Sequence, residues 1–149
     1  MRRAQLCHFA WMIETLKQQN FAKDEASADP INTVAIDLLT PYFGGTRTEH
    51  LAVAGFDEAG RLVAFTEVAG STTRVDGIVS VVRSVIGHIA VVAIILAHNH
   101  LDCDPEPSVA DIQATRQIER LTRLGNVRLL DHLIFSRAGI VSLRARGML

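Results

Sequence analysis

Nine consecutive apolar residues, Ile89 to Ala97, run without interruption into His98-Asn99-His100. The stretch from Val91 onward is β-branched and of strand length, and the whole run is about half of what a membrane span needs. It therefore reads as a core strand. Polar residues enter only at its end, where the period-two geometry of an extended chain puts His98 and His100 on the same face.

The residues after the histidines turn this strand end into a candidate site. Pro105 and Pro107 break the chain into a loop, and a segment of helical periodicity begins at Ser108. Asp111 falls in its first turn, where it can fold back toward the histidines. Two imidazole nitrogens and one carboxylate oxygen, in a His-x-His-x10-Asp spacing, suit Zn2+ with an open fourth position for water. A second reading of the same residues is structural: Ser108 with Asp111 three residues on, ahead of an apolar-periodic stretch, is also a helix-capping signature facing the positive end of a helix dipole.

The rest of the chain alternates helices and strands. Amphipathic spacing predicts a helix over residues of about 4 to 20, and Asp29-Pro30 begins a second helix that should stop before Pro41. Glu49 to Phe56 and Arg61 to Ala69 read as a hairpin around Asp57-Glu58-Ala59-Gly60, with loop through Gly70 to Thr73. A helix is expected over Gly77 to His88, then the strand to His98, a helix from Ser108 to Gly125, and strands near Val127 to Phe135 and Gly139 to Leu143. The expected fold is α/β, a mixed β-sheet with flanking helices. The expected organisation is an N-terminal helical extension over residues 1–45, within which the charged Lys23 to Asp29 stretch reads as the one flexible link, and a metal-binding domain over 46–149. Together they make one compact unit.

These residues resemble the signature of the JAMM (MPN-plus) zinc metalloprotease superfamily, and more narrowly its RadC-like bacterial branch. The resemblance runs from about Ile36 to Leu149. It is carried by Ile94-Ile95-Leu96-Ala97-His98-Asn99-His100, by Pro107-Ser108-x-x-Asp111 and by Arg128-Leu129-Leu130-Asp131-His132-Leu133-Ile134. It implies JAMM/MPN-like, cytidine-deaminase-like layering and a zinc-dependent peptidase or isopeptidase. In that family a glutamate on an early strand is the general base, and Glu49 holds the matching position. Ser108 is implied as the donor to the oxyanion formed at the attacked carbonyl. One departure is plain: Leu101-Asp102-Cys103 stands where RadC-like chains usually have Pro-Ser-Gly. Cys103 itself reads as a bystander.

Metal-bound histidines need an acceptor for their second ring nitrogen. Asp131 or a backbone carbonyl is the expected supporting partner. His8, His50 and His88 have no partner spacing and read as structural.

Charge bears on partners. Residues 1–111 carry eight Lys and Arg against fourteen Asp and Glu, while residues 112–149 carry seven arginines against Glu119 and Asp131. Arg116, Arg120 and Arg123 recur at helical spacing and read as a solvated helix face. DNA binding is not favoured, because no aromatic residues are interleaved for base stacking and the 45 or so upstream residues are too short for the helix-hairpin-helix domain of longer family members. The expected substrate is a protein or peptide, the alternative being a non-catalytic, DNA-repair-associated metal-binding or interaction module. A zinc deaminase is excluded, since the chain lacks Cys-x-x-Cys. With Cys7 and Cys103 its only cysteines and no apolar run of membrane length, the chain reads as a cytoplasmic bacterial protein.

Overall fold

A computed structural model of the chain describes residues 30–43, 46–70 and 75–149. The helix expected over residues 4 to 20 and the Lys23 to Asp29 stretch lie outside the described residues. In chain order the elements are α1 (Pro30–Phe43), β1 (His50–Phe56), β2 (Leu62–Ala69), α2 (Val75–Ile86), β3 (Ala93–Asn99), α3 (Val109–Leu124), β4 (Arg128–Phe135) and β5 (Ile140–Ser142).

The strands form one mixed sheet in the order β2-β1-β3-β4-β5, in which only β3 and β4 are parallel. β3 lies in the middle, and its apolar sequence is explained by that position. Ile95 and Ala97 face α1 in a layer with Leu38, Leu39 and Phe43. Ile94 and Leu96 face the other way, with Val82 and Val85 of α2 and Ile118 of α3. Strands buried on both faces read as continuous apolar runs rather than as alternation.

Local chemistry sets the turns and the close approaches. Asp57 caps the β1–β2 hairpin by accepting the Ala59 and Arg61 N–H groups on Oδ1, and Gly60 takes the left-handed φ of 74° that closes it. Gly55 in β1 lets α2 press onto the sheet: a Cβ there would stand 2.7 Å from Val85 Cγ1 and 2.8 Å from Val91 Cγ2.

Two details depart from the sequence expectation. α1 runs through Pro41 to Phe43 instead of stopping before the proline. The ring removes one helical hydrogen bond, but the break falls in the last turn, where Phe43 stacks on Phe135 with ring centroids 4.8 Å apart. In β4, the register shifts by one residue opposite Ile94 and Ile95, so Ile94 pairs with Leu129 and Ile95 with Asp131. This bulge decides which β4 side chains reach the candidate site.

Candidate metal centre

The strand alternation places His98 on the α2/α3 face beneath Leu96 and sends Asn99 to the opposite face. His100 lies one residue past β3, its N–H donated to the Phe135 carbonyl at 2.8 Å. The 101–107 loop then delivers the chain to the start of α3. There Ser108 and Asp111 form the capping box: Asp111 N–H is donated to Ser108 Oγ (3.1 Å), and Ser108 N–H to Asp111 Oδ2 (2.8 Å). The capping and metal readings of these residues hold together, because a carboxylate fixed in the first turn also points back at the strand end. His98 Nε2 stands 3.0 Å from His100 Nε2 and 3.3 Å from Asp111 Oδ1, and His100 Nε2 stands 3.4 Å from Asp111 Oδ2.

The hydrogen bonds fix where the ring protons are. Thr115 donates its hydroxyl to the Asp111 carbonyl at 2.6 Å, so its oxygen accepts from His132 Nδ1–H, also at 2.6 Å. His132 Nε2 is then an acceptor, and it receives His98 Nδ1–H at 2.8 Å. His98 Nε2 is left bare. Burial holds both rings neutral, pushing His98 down to about 4 and His132 down to about 3. In neutral His100 the Nδ1 proton goes to the Asp104 carbonyl at 2.9 Å, so its Nε2 is bare as well.

At 3.0 Å the two Nε2 atoms are within hydrogen-bond distance of each other, and with each ring's proton on Nδ1 both lone pairs turn toward one cation. Burial works against the Asp111 carboxylate, but the His98 charge interaction and the Ser108 hydroxyl and N–H outweigh it and keep its pKa below the ordinary value. The donor set is therefore two imidazoles and an anion. Ligands about 2.0–2.2 Å from a tetrahedral zinc stand roughly 3.3 Å from one another. His98 Nε2 lies 3.0 Å from His100 Nε2 and 3.3 Å from Asp111 Oδ1, near that edge, while the 3.4 Å contact to His100 is made by the other carboxylate oxygen, Oδ2, and this donor set fits zinc. Among the described residues, His98, His100 and Asp111 are the one group that gathers in this way.

Glu49 lines the same small pocket as His98, Asp111 and His132, with apolar walls from Leu51, Ile78 and Leu96. Its backbone is held on three sides. Asn99 accepts His50 N–H on Oδ1 (2.7 Å) and donates Nδ2–H to the Thr48 carbonyl (3.2 Å), and Gly70 N–H is donated to the Glu49 carbonyl (2.8 Å). His50 in turn bridges Thr48 Oγ1 at 2.9 Å and Glu67 Oε1 at 2.5 Å on the α1 face. Asn99, set between the two histidines, thus ties the ligand-bearing strand end to the start of β1.

One expectation is corrected in detail. Asp131 is paired with Ile95 through the bulge and so lies on the α1 face, where it accepts Ser142 Oγ–H (2.5 Å) and Arg144 N–H (3.0 Å). The acceptor at His98 Nδ1 is His132, the next residue, whereas a backbone carbonyl, that of Asp104, serves His100 as expected. Ser108 donates its hydroxyl to Asp111 Oδ2 (2.6 Å) and so orients the carboxylate. His132, Thr115 and Asn99 are the site residues that sequence reasoning missed as such. The Asp131-His132 pair was the available signal, but a regular strand gave no means of choosing between its members.

The model of the RadC-like JAB domain matches residues 31–148. The chain belongs to the RadC-like JAB domain family. It is similar to UPF0758 proteins of several bacteria: 34% identical over 155 residues to one from Bordetella parapertussis, covering 98% of this chain and 66% of that protein. A relative from Vibrio cholerae is 33% identical over 135 residues, covering 89% and 82%. One from Cellvibrio japonicus is 39% identical over 105 residues, covering 68% and 46%. This RadC-like chain thus spans just under two thirds of the Bordetella protein's length and about half of the Cellvibrio protein's. No described helix of the RadC-like domain is long and apolar enough to cross a membrane.

Proposed function

We propose that this RadC-like domain is a zinc-dependent hydrolase that cleaves peptide or isopeptide bonds. The observation that carries the reading is the convergence of His98 Nε2, His100 Nε2 and the Asp111 carboxylate, with Glu49 in the pocket that His98 and Asp111 line. His98, His100 and Asp111 would hold the metal. When bound, zinc supplies Lewis acidity, polarising an amide carbonyl and bringing the pKa of water toward 7.

The chain's own residues do the rest. His132 and the Asp104 carbonyl fix the tautomers of His98 and His100, so both present lone pairs and neither presents a proton. Ser108 orients the Asp111 carboxylate. Glu49 takes the proton from the attacking water and passes it to the leaving amine, a role that its place in the pocket allows. Leu51, Ile78 and Leu96 limit the water that reaches it.

Duplex DNA is not the proposed substrate. Arg116, Arg120 and Arg123 are exposed on α3, and Arg123 is paired with Glu119 at 2.7 Å, as expected of a solvated face.

The test is elemental analysis together with a peptidase screen. The wild-type chain should hold one zinc, and the double variant His98→Ala/His100→Ala none. Glu49→Gln should keep the zinc and lose at least about 100-fold in rate. One zinc per chain in the double histidine variant would remove the ligand assignment, and wild-type rates in Glu49→Gln would remove the base.

A further inference from the structure

On the other side of the β3 end, past the carboxyl ends of the parallel strands β3 and β4, lies a groove of about 470 Å³ lined by Phe43, Phe135, Ile140 and Leu101. Crevices at this position are where open α/β sheets take their ligands. His100, one of the three candidate ligands, lines the groove as well, so the groove borders the candidate metal centre.

Its charge is one-sided. Arg47 and Arg137 line it, and among the described residues no Asp or Glu does. Both arginines are exposed. Neither joins any of the ion pairs among the described residues, in contrast to Arg61, Arg123 and Arg146, which each hold a carboxylate. The 101–107 loop, whose Leu101 also lines the groove, carries the opposite sign through exposed Asp102 and Asp104, Glu106 being paired with Arg146. A substrate lying across the histidines therefore meets positive charge on one side and negative charge on the other. Guanidinium forks match carboxylates in shape as well as in charge, and the apolar lining suits the stem and backbone that carry one.

We propose that this groove receives a carboxylate of an extended peptide whose scissile bond lies at His98, His100 and Asp111, with Arg47 and Arg137 as the specificity-determining residues. The proposal rests on the hydrolase reading for which bond is cut. The carboxylate is an Asp or Glu side chain, whose stem the apolar lining suits, and capture of a free C-terminus instead is an outcome that overturns the assignment.

The full chain carrying Glu49→Gln, to stop turnover, is titrated against three labelled octapeptides of otherwise identical sequence. One has two internal Glu and an amidated end, one two Gln and an amidated end, one two Gln and a free end. The peptide with two internal Glu should bind about tenfold tighter than the neutral one and than the free-ended one, and added salt should erode the difference. Arg47→Gln/Arg137→Gln should abolish the preference without moving zinc content or melting temperature. Arg47→Lys/Arg137→Lys should keep part of it. Equal binding of all three peptides, binding of none below about 1 mM, or a preference that survives loss of both arginines would overturn the proposal. So would a 12-base-pair duplex that displaces the acidic peptide more strongly than the unlabelled peptide does.

The wild-type chain separates the two readings. Arginine-dependent binding of the acidic peptide with no cleavage of any peptide leaves the groove assignment standing and removes the hydrolase reading. Cleavage of neutral and acidic peptides at equal rates does the reverse.

Discussion

At the scale of single residues, the candidate centre depends on groups that touch no metal themselves. His132 is fully buried and neutral, and it accepts the His98 proton only because Thr115 accepts its own. Replacing His132 with alanine should leave His98 free to change tautomer and weaken zinc binding by about 10- to 100-fold, measured by competition with a chelator. Unchanged affinity would mean that the relay does not set the tautomer. Asn99 acts on the other partner. Asn99→Ala unpairs the Thr48 carbonyl and the His50 N–H, costing about 1–3 kcal/mol, and frees the backbone on both sides of Glu49. Zinc content should hold while kcat falls about tenfold or more; a variant that kept kcat would show that Glu49 is positioned by other means. The Asp131-His132 pair was legible as a source of support for a ligand, but not which member serves, and the role of Asn99 was not legible at all. A histidine beside an aspartate and an asparagine between two histidines carry no spacing signal, and their meaning comes only from what the sheet sets opposite them.

At the scale of elements, most of the layout was legible for a physical reason: apolar runs and caps act locally. The strand expected from Val91 to His98 is the central strand, beginning two residues later at Ala93, Asp57 to Gly60 is the hairpin turn, and Ser108 is the α3 cap. The β4 bulge was not legible, because it answers to packing between β3 and β4 rather than to the β4 sequence, and it alone moves Asp131 off the site face. Continuation of α1 through Pro41 escaped for the same kind of reason, the stacking of Phe43 on a residue far along the chain. The double use of the α3 cap has a measurable result. Ser108→Ala should cost about 1 kcal/mol of stability through the cap and also loosen the Asp111 carboxylate, so thermal stability and zinc affinity should fall together. A drop in stability alone would make Ser108 only a cap.

At the scale of the whole molecule, the buried histidines set how the fold responds to acid. His98 and His132 are held down to about 4 and about 3, against about 6.5 in an unfolded chain. Above pH 6.5 both states are neutral at these rings and nothing changes. As pH falls below 6.5 the unfolded chain takes up protons that the fold refuses, so stability is lost progressively toward pH 4, at up to about 1.4 kcal/mol per pH unit for each ring. Urea midpoints of the chelator-treated protein should therefore drop between pH 7 and pH 5; a flat profile would contradict buried neutral rings. The order of the chain adds one more consequence. His98, His100 and Asp111 come from a single strand–loop–helix segment, whereas Glu49 arrives from the first hairpin and reaches them only when β1 zips onto β3. On the hydrolase reading proposed above, a nascent or partly unfolded chain would bring together the three ligands for an ion before it held the base, so cleavage would be withheld until the sheet is complete.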